Sequence, residues 1–129
     1  MKTFSADNIR NVVLTGHGGS GKTALAEAML FKCGLTDRMG NTAEGNTVCD
    51  FDAEEIKRKI SINASIANMV WNNTKINVID APGQFDFAGG MHEGMRAAES
   101  VIVTVNGKDG VCPGTVRAYQ LAEKENKAS

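Results

Sequence analysis

The spacing of apolar and polar residues predicts a strand and a helix in the first third of the chain. Residues 9–15 form a largely apolar run, which is typical of a strand buried in a parallel sheet. Helix-forming residues follow over 22–32, and Gly34 is a suitable helix stop. Residues 35–58 are polar and weakly periodic, so we expect an irregular segment there that is functional or mobile.

The same spacing predicts a hairpin, a strand and two helices in the rest of the chain. Residues 60–71 alternate apolar and polar positions, and a tight Asn-Asn-Thr turn leads into the apolar residues 75–80. Residues 91–100 have helical spacing, and 101–105 are typical of a buried strand. Residues 115–128 form an amphipathic helix. Its expected apolar face consists of Val116, Tyr119 and either Ala122 or Leu121.

The predicted elements follow the order β-α-loop-β-β-α-β-α. Such alternation is typical of an α/β fold with a mostly parallel sheet and helices on both of its faces. The hairpin adds one antiparallel strand to that sheet. We expect a single domain, because 129 residues suffice for one hydrophobic core but not for two.

Composition and charge exclude several classes of protein. A net charge of −1 and a hydrophobic content of 42% are ordinary for a globular domain, and no basic excess indicates a nucleic-acid-binding face. The cysteines, Cys33, Cys49 and Cys112, are scattered without a CxxC pair, which favours a reducing compartment over disulfides or a zinc site. We expect a cytoplasmic protein without membrane association, because the N-terminus has no apolar signal region and no apolar run reaches bilayer length.

The sequence GHGGSGKT at residues 16–23 fits the pattern G-x-x-x-x-G-K-[ST] between a predicted strand and a predicted helix. Glycines let backbone N–H groups turn inward around a phosphate, and the start of the helix adds its free N–H groups and dipole. Lys22 places a positive charge on the phosphate oxygens, and the Thr23 hydroxyl can bind Mg²⁺. The alternative is a glycine-rich turn without a ligand. The predicted nucleotide-binding residues here are His17, Gly18, Gly19, Ser20, Gly21, Lys22, Thr23 and Ala24.

A second motif, D-x-x-G, follows the predicted strand 75–80 and spans Asp80 and Gly83. In P-loop proteins an aspartate at the end of a neighbouring strand holds Mg²⁺, often through water. Gly83 leaves a bare backbone N–H that can sense a γ-phosphate. Taken alone, this motif also fits a strand followed by a Pro-Gly turn. We expect Asp80 and Gly83 to bind the nucleotide because they accompany the first motif.

Three ordered segments resemble the translational GTPases. GHGGSGKT resembles their AHxDAGKT loop, and DAPGQFDF resembles their DTPGHVDF segment. DFDAEEIKRKISI resembles the switch I segment of elongation factor G, D-W-x-x-x-E-x-x-R-G-I-T-I. The resemblance extends over about residues 9–125 and includes the tetracycline-resistance ribosomal protection proteins. It implies that residues 1–129 are the N-terminal portion of a P-loop GTP-binding domain, with GTP or GDP and Mg²⁺ as its ligands.

The resemblance implies roles for single residues. Ser61 falls where the family has the switch I threonine, a second hydroxyl on Mg²⁺. Gln84 falls where the family has the histidine that orients the attacking water, a task that glutamine performs in other GTPases. The implied catalytic residues are Gln84, Lys22 and Gly83, and the implied metal-binding residues are Thr23, Ser61 and Asp80.

Departures from the family pattern indicate a divergent paralogue of elongation factor G. Gly18 and Gly19 stand where the family has an apolar residue and an aspartate, and Lys59 replaces a glycine. The guanine-reading motif N-K-x-D is not found, and residues 106–109 have the wrong order. We therefore expect a fragment of a longer protein. Two other functions stay open: a regulatory module with little hydrolysis, and a P-loop ATPase or kinase.

The family also implies expectations about partners and motion. Contacts with the ribosome are expected through the full-length protein. The strand 101–105 is expected to expose an unpaired edge and to mediate self-association. Residues 38–58 are expected to be mobile without a γ-phosphate, with no partner for Ser61 until ligands arrive. For His17, structural hydrogen bonding is favoured over a ligand role.

Overall fold

The computed structural model describes residues 3–129, and its elements follow the predicted order. The strands are β1 (Ile9–Gly16), β2 (Ser65–Trp71), β3 (Thr74–Asp80) and β4 (Ser100–Thr104). The α-helices are α1 (Lys22–Lys32), α2 (Ala53–Arg58), α3 (Ala88–Ala97) and α4 (Pro113–Lys124). Short 3₁₀ turns occupy Ala6–Asn8, Thr42–Glu44 and Phe85–Phe87. In this described part of the chain, no helix is both long and apolar enough to span a bilayer.

The four strands form one sheet in the order β2-β3-β1-β4. Strand β1 runs parallel to β3 and to β4, and β2 pairs antiparallel with β3. This confirms the α/β fold with a mostly parallel sheet and one antiparallel strand. Because parallel strands end at the same edge, Gly16, Asp80 and Thr104 bring the segments that follow them together there.

The core consists of two layers, one on each face of the sheet. Val13 points into a cluster that contains Met95 of α3 and Ala118 of α4. Its neighbour Leu14 points into the opposite cluster, which contains Ala26 and Leu30 of α1. Successive strand residues face opposite sides, so a strand covered on both faces has to be apolar at consecutive positions. This is why the first apolar run predicted its strand correctly.

Several predicted boundaries are wrong. The last helix begins at Pro113 and not at residue 115, because proline suits the first turn of a helix, and it ends at Lys124 and not at 128. Strand β2 begins at Ser65 and not at residue 60, because the N–H groups of Ile62 and Asn63 donate to the Glu55 carboxylate (both 3.0 Å) instead of extending the ladder. Helix α3 occupies Ala88–Ala97 and not 91–100, because Ser100 already belongs to β4. The strand predicted at 101–105 is Ser100–Thr104.

The segment predicted to be irregular contains a helix. Asp52 caps α2 by accepting from the N–H of Glu54 (2.8 Å), and Glu55 accepts from the N–H of Asp52 (3.1 Å). This reciprocal capping box stabilises a short helix that has little periodicity of its own. The Asp-x-x-Glu spacing was a visible signal for it.

The predicted apolar face of the last helix is wrong at two positions. Val116 and Tyr119 are exposed, whereas Thr115 and Ala118 are buried. Leu121 and Ala122, which the sequence left as alternatives, are both buried. Helix α4 packs against β1 and β4. Residues 115, 118 and 122 recur on one side of a helix as regularly as 116 and 119 do, so periodicity alone did not decide which side packs on the sheet.

The predicted hairpin turn is confirmed. Asn72 and Asn73 join β2 to β3 with positive φ angles of 46° and 62°. Two consecutive left-handed residues match the twist of paired strands, and asparagine tolerates this conformation better than most residues. Thr74, predicted in the turn, is the first residue of β3 and pairs with Trp71.

Candidate functional site

A polar cavity of about 190 Å³ lies at the edge of the sheet where β1 and β3 end. From the glycine-rich loop and the start of α1 it is lined by Gly18, Gly19, Gly21, Lys22, Thr23 and Ala24. From the segment after β3 it is lined by Gly83 and Gln84, and from the segment before β2 by Thr42, Asp50, Lys59, Ile60 and Ser61. Most of the predicted binding residues therefore face one space.

The loop backbone adopts the conformation that its glycines permit. Gly19 and Gly21 have φ angles of +77° and +90°, and helix α1 begins at the next residue, Lys22. A Cβ at either glycine would meet nothing within 4 Å, so the backbone conformation, and not a lack of space, favours glycine there. The free N–H groups of the first turn of α1 therefore adjoin the cavity, as anion binding at a helix N-terminus requires.

Lys22 is held in place by the loop itself. Its ammonium group donates to the carbonyl oxygens of His17 (2.8 Å) and Gly16 (3.4 Å). Burial lowers the pKa of Lys22 from its usual value, while the negative charges of Asp80 and Asp50 oppose that shift. The side chain is thus a buried positive charge at the wall of the cavity.

The three predicted metal-binding residues lie together. The Thr23 hydroxyl donates to Asp80 Oδ2 (2.6 Å) and lies 3.1 Å from the Ser61 hydroxyl. Burial raises the pKa of Asp80 to about 6, although the hydrogen bond from Thr23 acts in the opposite direction. Asp80 Oδ1 is buried without a hydrogen-bond partner. An unpartnered carboxylate oxygen beside two hydroxyls is a set of oxygen donors that suits a hard cation.

This donor set fits Mg²⁺ that is shared with a phosphate. Among residues 3–129, no group of three or more His, Cys, Asp or Glu side chains is arranged to hold a metal ion. Mg²⁺ usually keeps several waters and binds through one or two carboxylates together with substrate phosphates. Two hydroxyls and one carboxylate beside a phosphate-sized cavity therefore suit a Mg²⁺ ion that also binds phosphate and water. They suit a metal ion held by protein ligands alone less well.

Four residues that line the cavity were not predicted: Thr42, Asp50, Lys59 and Ile60. Asp50 is buried, with one carboxylate oxygen unpartnered, and burial raises its pKa. A signal existed, because Asp50 opens the segment that resembles switch I. Lys59 has a φ of 58°, the left-handed conformation that favours the glycine of the family pattern. A lysine in this conformation costs on the order of 1 kcal/mol of stability.

Two buried carboxylates hold the segment before β2 in place. Glu27 of α1 accepts from the N–H groups of Val48 (2.7 Å) and Cys49 (3.0 Å). Glu55 does the same for the residues just after Ser61. The expectation that Ser61 has no partner is wrong, because its hydroxyl lies within hydrogen-bonding distance of Thr23.

Three predicted site residues do not line the cavity: His17, Ser20 and Asp80, of which Asp80 contacts the lining residue Thr23. The His17 ring packs edge-on against Phe85, with centroids 6.4 Å apart, and its buried Nδ1 has no hydrogen-bond partner, contrary to the structural bonding favoured from sequence. The Ser20 hydroxyl bonds to that of Thr104 (2.6 Å) at the end of β4. Contacts of His17 and Ser20 with a nucleotide remain predictions.

The lookalike of the guanine-reading motif forms a turn against the loop. Asn106 donates from its side-chain amide to the carbonyl oxygen of Gly19 (3.3 Å) and accepts from the N–H of Lys108 (2.8 Å). The N–H of Gly110 closes the turn on the Asn106 carbonyl oxygen (2.8 Å). Asn106 thereby supports the glycine-rich loop.

A second, larger groove is a poor candidate for a charged ligand. It measures about 610 Å³ and lies between α1 and the sheet, with Met29, Met69, Trp71 and Ile102 in its walls. Its lining is almost wholly apolar, and it has no cluster of polar groups to orient a ligand. The polar cavity is therefore the candidate site.

Comparisons with known proteins show what this chain is similar to. The sequence profile of the elongation factor Tu GTP binding domain matches residues 7–128. An elongation factor G-like protein of Mycobacterium tuberculosis is 39% identical over 112 residues, 87% of this chain and 16% of that protein. A mitochondrial ribosome-releasing factor 2 of Drosophila grimshawi is 38% identical over 124 residues, 96% of this chain and 17% of that protein. A crystal structure from Thermus thermophilus matches with a TM-score of 0.87 and 38% identity, over 90% of this chain and 18% of that one. The chain thus spans about a sixth of the length of these relatives.

Proposed function

Because this chain belongs to the family of elongation factor Tu GTP-binding domains, we propose that it binds GTP and GDP with Mg²⁺ in the polar cavity. We propose further that residues 1–129 are the N-terminal portion of the GTP-binding domain of a ribosome-dependent GTPase of the elongation factor G type. The observation that carries the proposal is the meeting of Thr23, Ser61 and Asp80 beside the start of α1.

Phosphate binding rests on the loop and on Lys22. The β- and γ-phosphates accept hydrogen bonds from the backbone N–H groups of Gly18, Gly19 and the first turn of α1. Lys22 adds a positive charge whose position is fixed by its hydrogen bonds to the loop carbonyls. Thr23, Ser61 and Asp80 would hold Mg²⁺, which when bound offsets the negative charge on the phosphate oxygens.

Hydrolysis of GTP is assigned to the segment after β3. A water oxygen attacks the γ-phosphorus, the bond from that phosphorus to the β–γ bridging oxygen breaks, and GDP departs with the bonding electrons. The protons of the attacking water stay on the phosphate that forms or pass to solvent. Gln84 orients the water through its side-chain amide, and the Gly83 N–H senses the γ-phosphate. Lys22 stabilises the charge that develops on the departing oxygen.

The same groups make the domain a switch. Ser61 and Gly83 lie on separate segments that both line the cavity, so a γ-phosphate would order them together. Contacts with the ribosome are assigned to the rest of the polypeptide, which fits the near-neutral charge of this chain. A cytoplasmic location accompanies this role.

Titration with three phosphate ligands tests the proposal. We expect GDP, ADP and pyrophosphate all to bind in the presence of Mg²⁺, with GDP preferred over ADP by less than about tenfold, because no guanine-reading motif was found. Isothermal titration calorimetry measures the three affinities. Lys22→Met should remove pyrophosphate binding, whereas Lys124→Met, an exposed lysine at the end of α4, should not.

Two outcomes would contradict different parts of this expectation. Failure of all three ligands to bind would contradict the phosphate site itself. A GDP preference well above tenfold would show that guanine is read by residues within this chain.

We also propose that the chain self-associates through the outer edge of β4. The sequence expectation of a fully unpaired edge is wrong at Val101, whose N–H donates to the carbonyl oxygen of Ala128 (2.8 Å). Beyond this contact, β4 remains the outer strand of the described sheet, and Ile102 is exposed. An apolar edge strand is a template for a second chain.

Light scattering over a concentration series measures self-association. The apparent mass should rise with concentration for the natural chain but not for Ile102→Lys, because a charge on an edge strand opposes pairing. Val116→Lys places the same charge on an exposed position of α4 and should behave like the natural chain. A natural chain that stays monomeric at high concentration would disprove the proposal.

A further inference from the structure

We propose that Gly18 is the positioning residue for Gln84: the missing side chain at position 18 leaves the space in which the Gln84 amide rests above the cavity. This inference deepens the proposed hydrolysis and depends on it. It joins two departures from the family pattern, one in the glycine-rich loop and one after β3, into a single structural feature.

The geometry at Gly18 differs from that of the other loop glycines. A Cβ built on Gly18 would lie 2.7 Å from Nε2 and 3.1 Å from Cδ of Gln84. Both distances are shorter than van der Waals contact. A Cβ at Gly19 or Gly21 would meet nothing within 4 Å. The Gln84 amide therefore occupies the volume that a side chain at position 18 would need.

The conformation of Gly18 does not explain why glycine stands there. Gly18 is not among the glycines with positive φ, so its backbone is accessible to any residue. The requirement for glycine at this position comes from its neighbour Gln84. This separates Gly18 from Gly19 and Gly21, whose positive φ angles favour glycine directly.

The backbone around Gln84 has little freedom to relieve such a contact. Gly83 packs so closely on the loop that its own Cβ would lie 2.8 Å from the Gly18 nitrogen and 2.9 Å from the His17 carbonyl carbon. On the other side, Gln84 precedes the 3₁₀ turn Phe85–Phe87. A side chain at position 18 would therefore turn the Gln84 side chain away and leave the backbone in place.

This orientation matters because the Gln84 side chain is otherwise unconstrained. Gln84 is exposed and has three rotatable side-chain bonds, so its amide would sample many directions. The space left at Gly18 lets the amide lie at the mouth of the cavity that both residues line, and a side chain at position 18 would exclude it from there. A displacement of about 1 Å of an orienting group is enough to lower a rate on the order of 100-fold.

A double-mutant cycle in the complete polypeptide, assayed with ribosomes, tests the proposal. Gly18→Ala should lower kcat at least about tenfold with little change in KM or GDP affinity, because the amides that bind phosphate stay in place. In the Gln84→Ala background the same substitution should change kcat less than about twofold. Gly107→Ala is the matched control, because a Cβ there meets nothing within 4 Å and the φ angle is not positive.

The outcomes separate this inference from the proposed function. An unchanged kcat in Gly18→Ala, or an equal loss with and without Gln84, would overturn the positioning role while leaving GTP hydrolysis intact. Absence of GTP binding and turnover in the unsubstituted protein would instead overturn the proposed function.

A second measurement does not depend on turnover. In NMR spectra of this chain, the Nε2 protons of Gln84 should show nuclear Overhauser contacts to the α protons of Gly18, and Gly18→Val should remove them. Absence of these contacts in the natural chain would overturn the geometry on which the inference stands.

Discussion

Replacing Gly83 by alanine is expected to lower GTP turnover by about 100-fold and to weaken nucleotide binding as well. A Cβ at this position would collide with the ammonium group of Lys22 and with the backbone of Gly18 and His17. A flexible side chain could yield, but the backbone of the glycine-rich loop cannot. The segment after β3 would therefore have to move away from the cavity and carry Gln84 with it.

Gly89→Ala is the control for this substitution. Gly89 lies six residues further along, inside α3, where a Cβ meets nothing within 4 Å. Alanine there should leave turnover unchanged and raise helix stability by about 0.5–1 kcal/mol. Calorimetric GDP titration and turnover with ribosomes measure both variants. Equal activity of Gly83→Ala and the natural protein would contradict the placement of Gly83 against the loop.

Replacing Glu27 by alanine is expected to lower the free energy of unfolding by about 3 kcal/mol and to release the segment around Val48 from α1. Glu27 is fully buried, and its carboxylate accepts from the N–H groups of Val48 and Cys49. Its other oxygen lies directly against Gly40. Alanine would leave the buried N–H of Cys49 and the partly buried N–H of Val48 without this acceptor, and a cavity beside them. Glu27→Gln, which keeps one acceptor oxygen and the volume, should cost less.

Urea unfolding and amide hydrogen exchange measure this effect. In Glu27→Ala, the exchange of Val48 and Cys49 should accelerate more than that of residues 12–14 in β1. Glu93→Ala removes an exposed carboxylate on α3 and should change neither quantity. In the natural chain without nucleotide, residues 38–58 are still predicted to exchange faster than 10–15. Unchanged exchange at Val48 in Glu27→Ala would show that the carboxylate does not hold this segment.

Local signals predicted the parts of the fold that depend on neighbouring residues. The apolar run around Val13 and Leu14 predicted β1 correctly, because both faces of that strand are covered. The glycines before Lys22 correctly predicted where α1 begins. The misjudged elements depend on distant contacts. Glu55, which lies outside β2, accepts from the N–H groups of Ile62 and Asn63 and so prevents these residues from joining the strand. Which side of α4 is buried is set by its packing against β1 and β4.

The candidate site shows the same division. Lys22, Thr23 and Asp80 were predicted because their motifs are short and follow strands that end at one edge of the sheet. Asp50 was missed because its approach to the cavity depends on how the segment before β2 folds back along α1. The contact between Gly18 and Gln84 could not be predicted, because the residues lie on separate segments and neither is unusual alone.

The most direct test of a nucleotide site in the polar cavity is an NMR titration of this chain with GDP and Mg²⁺, monitored at every backbone amide. We expect the largest shift changes at residues 18–24, at Ser61 and at 80–84, with Met69 and Trp71 of the apolar groove unaffected. Shift changes confined to the apolar groove, or none at millimolar GDP, would contradict the assignment of the cavity to a guanine nucleotide.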